Sequence, residues 1–244
     1  MAASLQMLWG MINVMQIIVH MPLLNVNFPE NTMFFYSLII EISSFNLIPE
    51  SWMEAIKKKF FYFNDVEFDE SFTKMGYKSE SSIENLGSMF MYFGGSLCLL
   101  GFVLLIRFLK NRSQFINKVY TYLAKIIFWN LILRMFLEGY IEYAITSLIN
   151  IYKLEWDTRS NSFSSVFSIV IFTLIFIFPF IVWYILWKNS AEKLLEQESI
   201  DSFGSTYMEL RNDSKSALLY NVIYMLRRLL FCIIILVFKK WPFA

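Results

Sequence analysis

Residues 163–187 read FSSVFSIVIFTLIFIFPFIVWYILW. The stretch carries no charged side chain. About 20 mostly apolar residues in a helix cross the hydrocarbon core of a bilayer, and this segment exceeds that length. It is apolar on every helical side, so it requires either a large protein core or lipid around it. In lipid every backbone polar group must be satisfied within the chain, which leaves helices or a closed barrel. No alternation of period two is present, so the segment is expected to be a helix.

The rest of the chain extends the same reading. Of 244 residues, 57% are hydrophobic, 19% aromatic and 17% charged, whereas a soluble domain carries about 25% charged residues. Mean hydropathy is +0.51. Four further stretches reach spanning length: Ser4–Leu24, Leu86–Leu109, Ala124–Ile149 and Ser216–Phe238. The fold expected over residues 1–244 is all-α, a polytopic helical membrane bundle of about five spans. Met33–Ile48 is apolar but short, with Phe34, Leu38, Ile42 and Phe45 recurring at helical spacing. It reads as an interfacial or partly re-entrant helix bracketed by Pro22, Pro29 and Pro49.

Basic residues orient the spans. The connection at 110–123 holds Lys110, Arg112 and Lys118 without an acidic residue, and is assigned to the cytoplasm. The connection 25–85 holds ten acidic and five basic residues and falls on the other side. Residues 150–162 are expected to be non-cytoplasmic, and the start of the chain and the loop 188–215 cytoplasmic. The plasma membrane is the expected location. The polar part of the outer connection, 50–85, is expected to form a small cap on the bundle. The sequons at Asn111 and Asn212 fall on the cytoplasmic side and are expected to stay unmodified.

Charge inside the membrane is the most informative feature. Arg134, Glu138 and Glu142 follow one another at steps of four in the third span, and Arg227 and Arg228 lie in the middle of the fifth. A charge at the bilayer centre costs about 2.5–3.5 kcal/mol on insertion scales. Arg227 or Arg228 is therefore expected to pair with Glu138 or Glu142. Such a network is either a structural clamp fixing helix register or part of an ion or proton path. Gly87, Gly94, Gly95 and Gly101 in the second span suggest close helix packing. Pro179 suggests a kink in the fourth. Asn13, Gln16 and His20 fall near one face of the first span and are expected to hydrogen-bond within the bundle.

Catalytic material is sparse. One histidine and two cysteines, Cys98 and Cys232 in apolar runs, supply neither metal-ligand spacing nor a nucleophile–base pair. There is no glycine-rich phosphate loop. The chain is expected not to be an enzyme and to hold no cofactor or metal. With net charge +1, nucleic acid is not an expected partner. The bilayer is, and a homo-oligomer is compatible with the sequence.

Several short stretches carry a family resemblance: LWGMIN at 8–13, HMPLL at 20–24, FNLIP at 45–49, MGYKS at 75–79, ENLG at 84–87, FLEGYIE at 136–142 and the pair Arg227–Arg228. Together they resemble the C-terminal membrane region of the large cysteine-rich surface proteins of ciliates, which is distantly similar to transient-receptor-potential-like membrane domains. The resemblance implies a multi-pass anchor for an ectodomain, with a further span upstream. On it, both ends of the chain are expected to continue in a longer parent. The channel-like similarity implies a module or subunit of a cation channel or transporter as the alternative.

Overall fold

The computed structural model describes residues 11–237 except 13, 25–27, 44–47, 50, 53, 56–58, 60, 62–69, 74–76, 78, 126–131, 195, 197–198, 201–203 and 208–213. The described residues are 85% helical and contain no strand. Helix α1, Val14–Leu24, ends in a 3-10 turn at Met21–Leu24. Then come α2 (Glu30–Ser43), α3 (Ser82–Leu86), α4 (Ser88–Leu109), α5 (Gln114–Lys125), α6 (Ile132–Glu138), α7 (Tyr140–Tyr152), α8 (Arg159–Lys188) and α9 (Tyr220–Val237). Single helical turns lie at Glu70–Thr73, Ala191–Leu194 and Lys215–Leu218.

Among the described residues two helices, α4 and α8, are long and apolar enough to cross a membrane. α4 starts one residue after Gly87, whose φ of 50° and ψ of −119° separate it from α3. A side chain rarely tolerates that backbone, so a glycine stands there for the turn and not for helix packing. α8 is longer than its predicted span and runs unbroken through Pro179. The other predicted spans differ from expectation. α1 is short. The third span is divided at Gly139, where φ −85° and ψ 8° interrupt the helix between α6 and α7. The fifth is divided by a turn at Leu219. The connection predicted at 110–123 is largely helical, as α5.

The chain forms two compact units. The first comprises residues 1–90, 139–175 and 227–244. Its centre is α7, in which every residue from Tyr140 to Ser147 is buried. The Tyr140 hydroxyl donates to the Ile175 carbonyl at 3.0 Å, and that of Tyr143 to the Met89 carbonyl at 3.3 Å. Phe61, Phe90, Phe163 and Phe167 form a chain of ring contacts. α3 packs on α7, so this part of the outer connection enters the core of the unit instead of capping it: Ser82, Ile83 and Leu86 are all buried. The aromatic and acidic stretch at 62–69 lies outside the described residues, as do residues 4–10 of the first predicted span. α2 exposes Phe34, Phe35 and Leu38.

The second unit comprises residues 91–138 and 176–226. Phe136 sits between Phe93 (6.2 Å between ring centroids) and Phe178 (5.6 Å). The Ser96 hydroxyl points at the Met135 sulfur, 3.3 Å away. The 188–215 loop is tied down where described. The Tyr207 hydroxyl donates to the Leu194 carbonyl at 2.7 Å, and the Asn221 amide to that of Thr206 at 2.7 Å. Burial holds the Tyr207 phenol above its ordinary pKa.

Candidate functional site

The densest buried polar chemistry lies in the first unit, around α7. His20 is completely buried at the end of the helical part of α1, where the chain tightens into its 3-10 turn. Its Nδ1 lies 2.5 Å from the Gln16 carbonyl, one turn back. A carbonyl cannot donate, so Nδ1 carries a hydrogen. Nε2 lies 2.9 Å from the Tyr77 hydroxyl and 3.3 Å from Oε1 of Glu142. The Tyr77 hydroxyl in turn donates to Oε2 of Glu142 at 3.3 Å. Tyr77 and Glu142 are each about 4% exposed.

Hydrogen counting restricts the state of this triad. With the Tyr77 hydrogen committed to Glu142, the contact between the tyrosine oxygen and Nε2 needs a hydrogen on Nε2, giving an imidazolium–carboxylate pair. A neutral pair keeps the same contacts only if the Tyr77 hydroxyl turns to donate to Nε2 and a protonated Oε2 of Glu142 donates to the tyrosine oxygen. Burial first, and the Glu142 carboxylate second, push the Tyr77 phenol well above its ordinary pKa, so Tyr77 keeps its hydrogen.

A hydroxyl layer adjoins the triad. Ser164 on α8 accepts from the Ser82 backbone N–H at 3.1 Å and meets the Ser81 hydroxyl at 3.0 Å. The Ser82 hydroxyl bonds the Thr146 carbonyl at 3.2 Å and contacts that of Ser168. Asn150 reaches the Glu80 carbonyl at 2.9 Å. Beside them the exposed Lys153 ammonium lies 2.8 Å from a Glu80 oxygen, and that hydrogen bond raises its pKa.

The sequence expectation pairs Glu138 or Glu142 with Arg227 or Arg228. For Glu142 the partners are instead His20 and Tyr77. Of the two arginines, Arg228 is completely buried and Arg227 exposed. Arg228 and Glu142 each lie within electrostatic reach of Cys232. Glu138 ends α6 and is partly buried. The Arg134 side chain lies outside the described residues.

The glycines of α4 differ from expectation too. A Cβ at Gly94, Gly95 or Gly101 would meet nothing within 4 Å, so among the described residues no close helix approach depends on them. Cys98 on the same helix is exposed, and Cys232 is buried. Among the described residues no group of three or more His, Cys, Asp or Glu is placed to hold a metal ion.

Tyr77 stands in the sequence only as part of the MGYKS stretch, and no local pattern assigns it or these serines a role. Ser164 and Ser168, four residues apart with Ser165 between them, are the signal that marks a polar stripe there. Compared with known proteins, the chain matches no family model, no curated protein and no solved structure.

Proposed function

We propose that this chain is a multi-pass integral membrane domain, the anchor region of a surface protein, with the buried polar layer as its internal clamp. The observation that carries the reading is the apolar exterior of α4 and α8. Only 17% and 33% of their apolar windows are buried. Leu97, Phe102, Leu105 and Phe108 on α4, and Val166, Val170, Phe176 and Trp183 on α8, face outward. A soluble monomer rarely exposes an apolar patch above a few hundred Å², whereas lipid solvates such a surface. α1, α6–α7 and α9 complete five spans in this reading, with α7 shielded from lipid at the centre of its unit. α2 lies in the interface through Phe34 and Leu38.

A second reading is supported by the triad and by the helix break at Gly139. Interrupted helices beside ionisable groups line the coupling sites of many transporters. Here the chain would be a module of a cation channel or transporter, with Glu142 as its proton-bearing group.

The tests separate the two readings. The full chain should stay in the membrane fraction after carbonate washing and should aggregate when detergent is withdrawn. A monodisperse chain in plain buffer refutes both. Reconstituted in vesicles, Glu142→Gln should leave ion and proton flux unchanged if the polar layer is a clamp, and should abolish or alter it if the chain is a conduction module.

A further inference from the structure

Directly after α4 the chain makes a 3-10 turn, Lys110–Arg112, and then reverses character. Ser113 is extended, with φ −155° and ψ 139°. Its hydroxyl accepts from the Phe115 N–H at 3.3 Å and its carbonyl from the Asn117 N–H at 3.0 Å, so it caps α5 at its start. On a helical projection Phe115, Ile116, Val119, Tyr120, Tyr122 and Leu123 fill one continuous arc. Gln114, Asn117, Lys118 and Thr121 fill the opposite one. Unlike α7, this helix leaves its apolar arc uncovered. Phe115 is 74% and Tyr122 66% exposed, and Ile116, Val119, Tyr120 and Leu123 are only partly buried.

Charge identifies the occupant of that arc. From residue 85 to residue 137 the chain has no acidic residue, while Arg107, Lys110, Arg112, Lys118 and Lys125 cluster around α5. Arg107, Arg112 and Lys118 are exposed. The Lys110 ammonium sits 5.3 Å from the Tyr120 ring centroid. A solvated helix would not place exposed aromatics beside an unbalanced basic cluster. A helix lying in the headgroup layer does, since its apolar arc enters the acyl boundary and its cations meet lipid phosphates.

We infer that α5 is an interfacial helix that binds the anionic phospholipid headgroups of the leaflet into which α4 emerges. This rests on the reading that α4 spans the membrane. Phe115 and Tyr122 are its apolar anchors, and Arg112 and Lys118 its headgroup contacts.

The experiment is amide hydrogen exchange on the full chain, one copy per nanodisc, in phosphatidylcholine alone and with phosphatidylserine added. Residues 114–125 should exchange at least about tenfold more slowly in the anionic disc. Arg112→Gln with Lys118→Gln should remove most of that difference, at about fivefold per charge. Phe115→Ser with Tyr122→Ser should raise exchange in both discs. In every variant α8 should stay protected, which shows that the fold is intact. Equal exchange of 114–125 in the two discs overturns the inference, as does protection that survives the charge-neutral variant. Rapid exchange across α4 itself overturns the membrane reading instead, so the two failures are distinguishable.

Discussion

Replacing Glu142 by alanine should be among the most damaging single changes in the chain. It leaves His20 and Tyr77 buried without their shared acceptor. Breaking one side of a buried pair costs roughly 3–5 kcal/mol, read as a fall in thermal midpoint by tryptophan fluorescence in detergent. Tyr77→Phe keeps the ring contacts with Phe72 and His20 and removes one hydroxyl, and should cost about 1 kcal/mol. A triad that tolerates both changes equally is not the clamp described here. At this scale the sequence was legible in part. Glu142 stands out because a carboxylate in an apolar run needs a partner, and His20 is visible as a member of the polar face it shares with Asn13 and Gln16. Tyr77 was not legible. It is 57 positions from His20 and 65 from Glu142, and no local pattern distinguishes a tyrosine that enters a core from one that rests at an interface. The pairing with an arginine failed for Glu142 for the same reason: matched depth along two helices does not decide which acceptor meets which donor.

Helices were more legible than their interruptions. The period and length of apolar runs located α4 and α8, but not the breaks at Gly87 and Gly139. A glycine in such a run has two opposite explanations, a close approach or a turn. The structure separates them by position. Gly87 holds a positive φ, so Gly87→Ala should cost about 1–2 kcal/mol. Gly95→Ala and Gly101→Ala meet open space and improve helix propensity, so they should be neutral or stabilising by up to about 1 kcal/mol. Comparing the three thermal midpoints in one detergent decides the matter. A large loss at Gly95 or Gly101 would mean that another chain covers that face. Amphipathic α5 was hidden because its basic residues were read only as an orientation signal, although its apolar residues recur with helical period.

For the molecule as a whole, the all-α architecture follows from residues 163–187 together with the composition. The number of crossings does not, because α1, α6–α7 and α9 are short or broken and depend on neighbours to be buried. The two cysteines supply a global test. Cys98 faces outward from α4 and Cys232 is enclosed. In a lipid-embedded chain Cys98 should resist a charged, membrane-impermeant maleimide yet react with an apolar one, while Cys232 should react with either only after unfolding. Fast labelling of Cys98 by the charged reagent in intact vesicles would contradict a spanning α4.

The link between His20 and Glu142 also bears on how the protein is made. Translation proceeds from the first residue at about 5–20 per second, so the imidazole leaves the ribosome on the order of ten seconds before its carboxylate partner exists. Throughout that interval the Nε2 side of His20 lacks the carboxylate it faces in the folded chain. The buried setting of His20 is therefore complete only once α7 has been made. A fragment ending between the two would lack the acceptor that His20 faces in the complete fold.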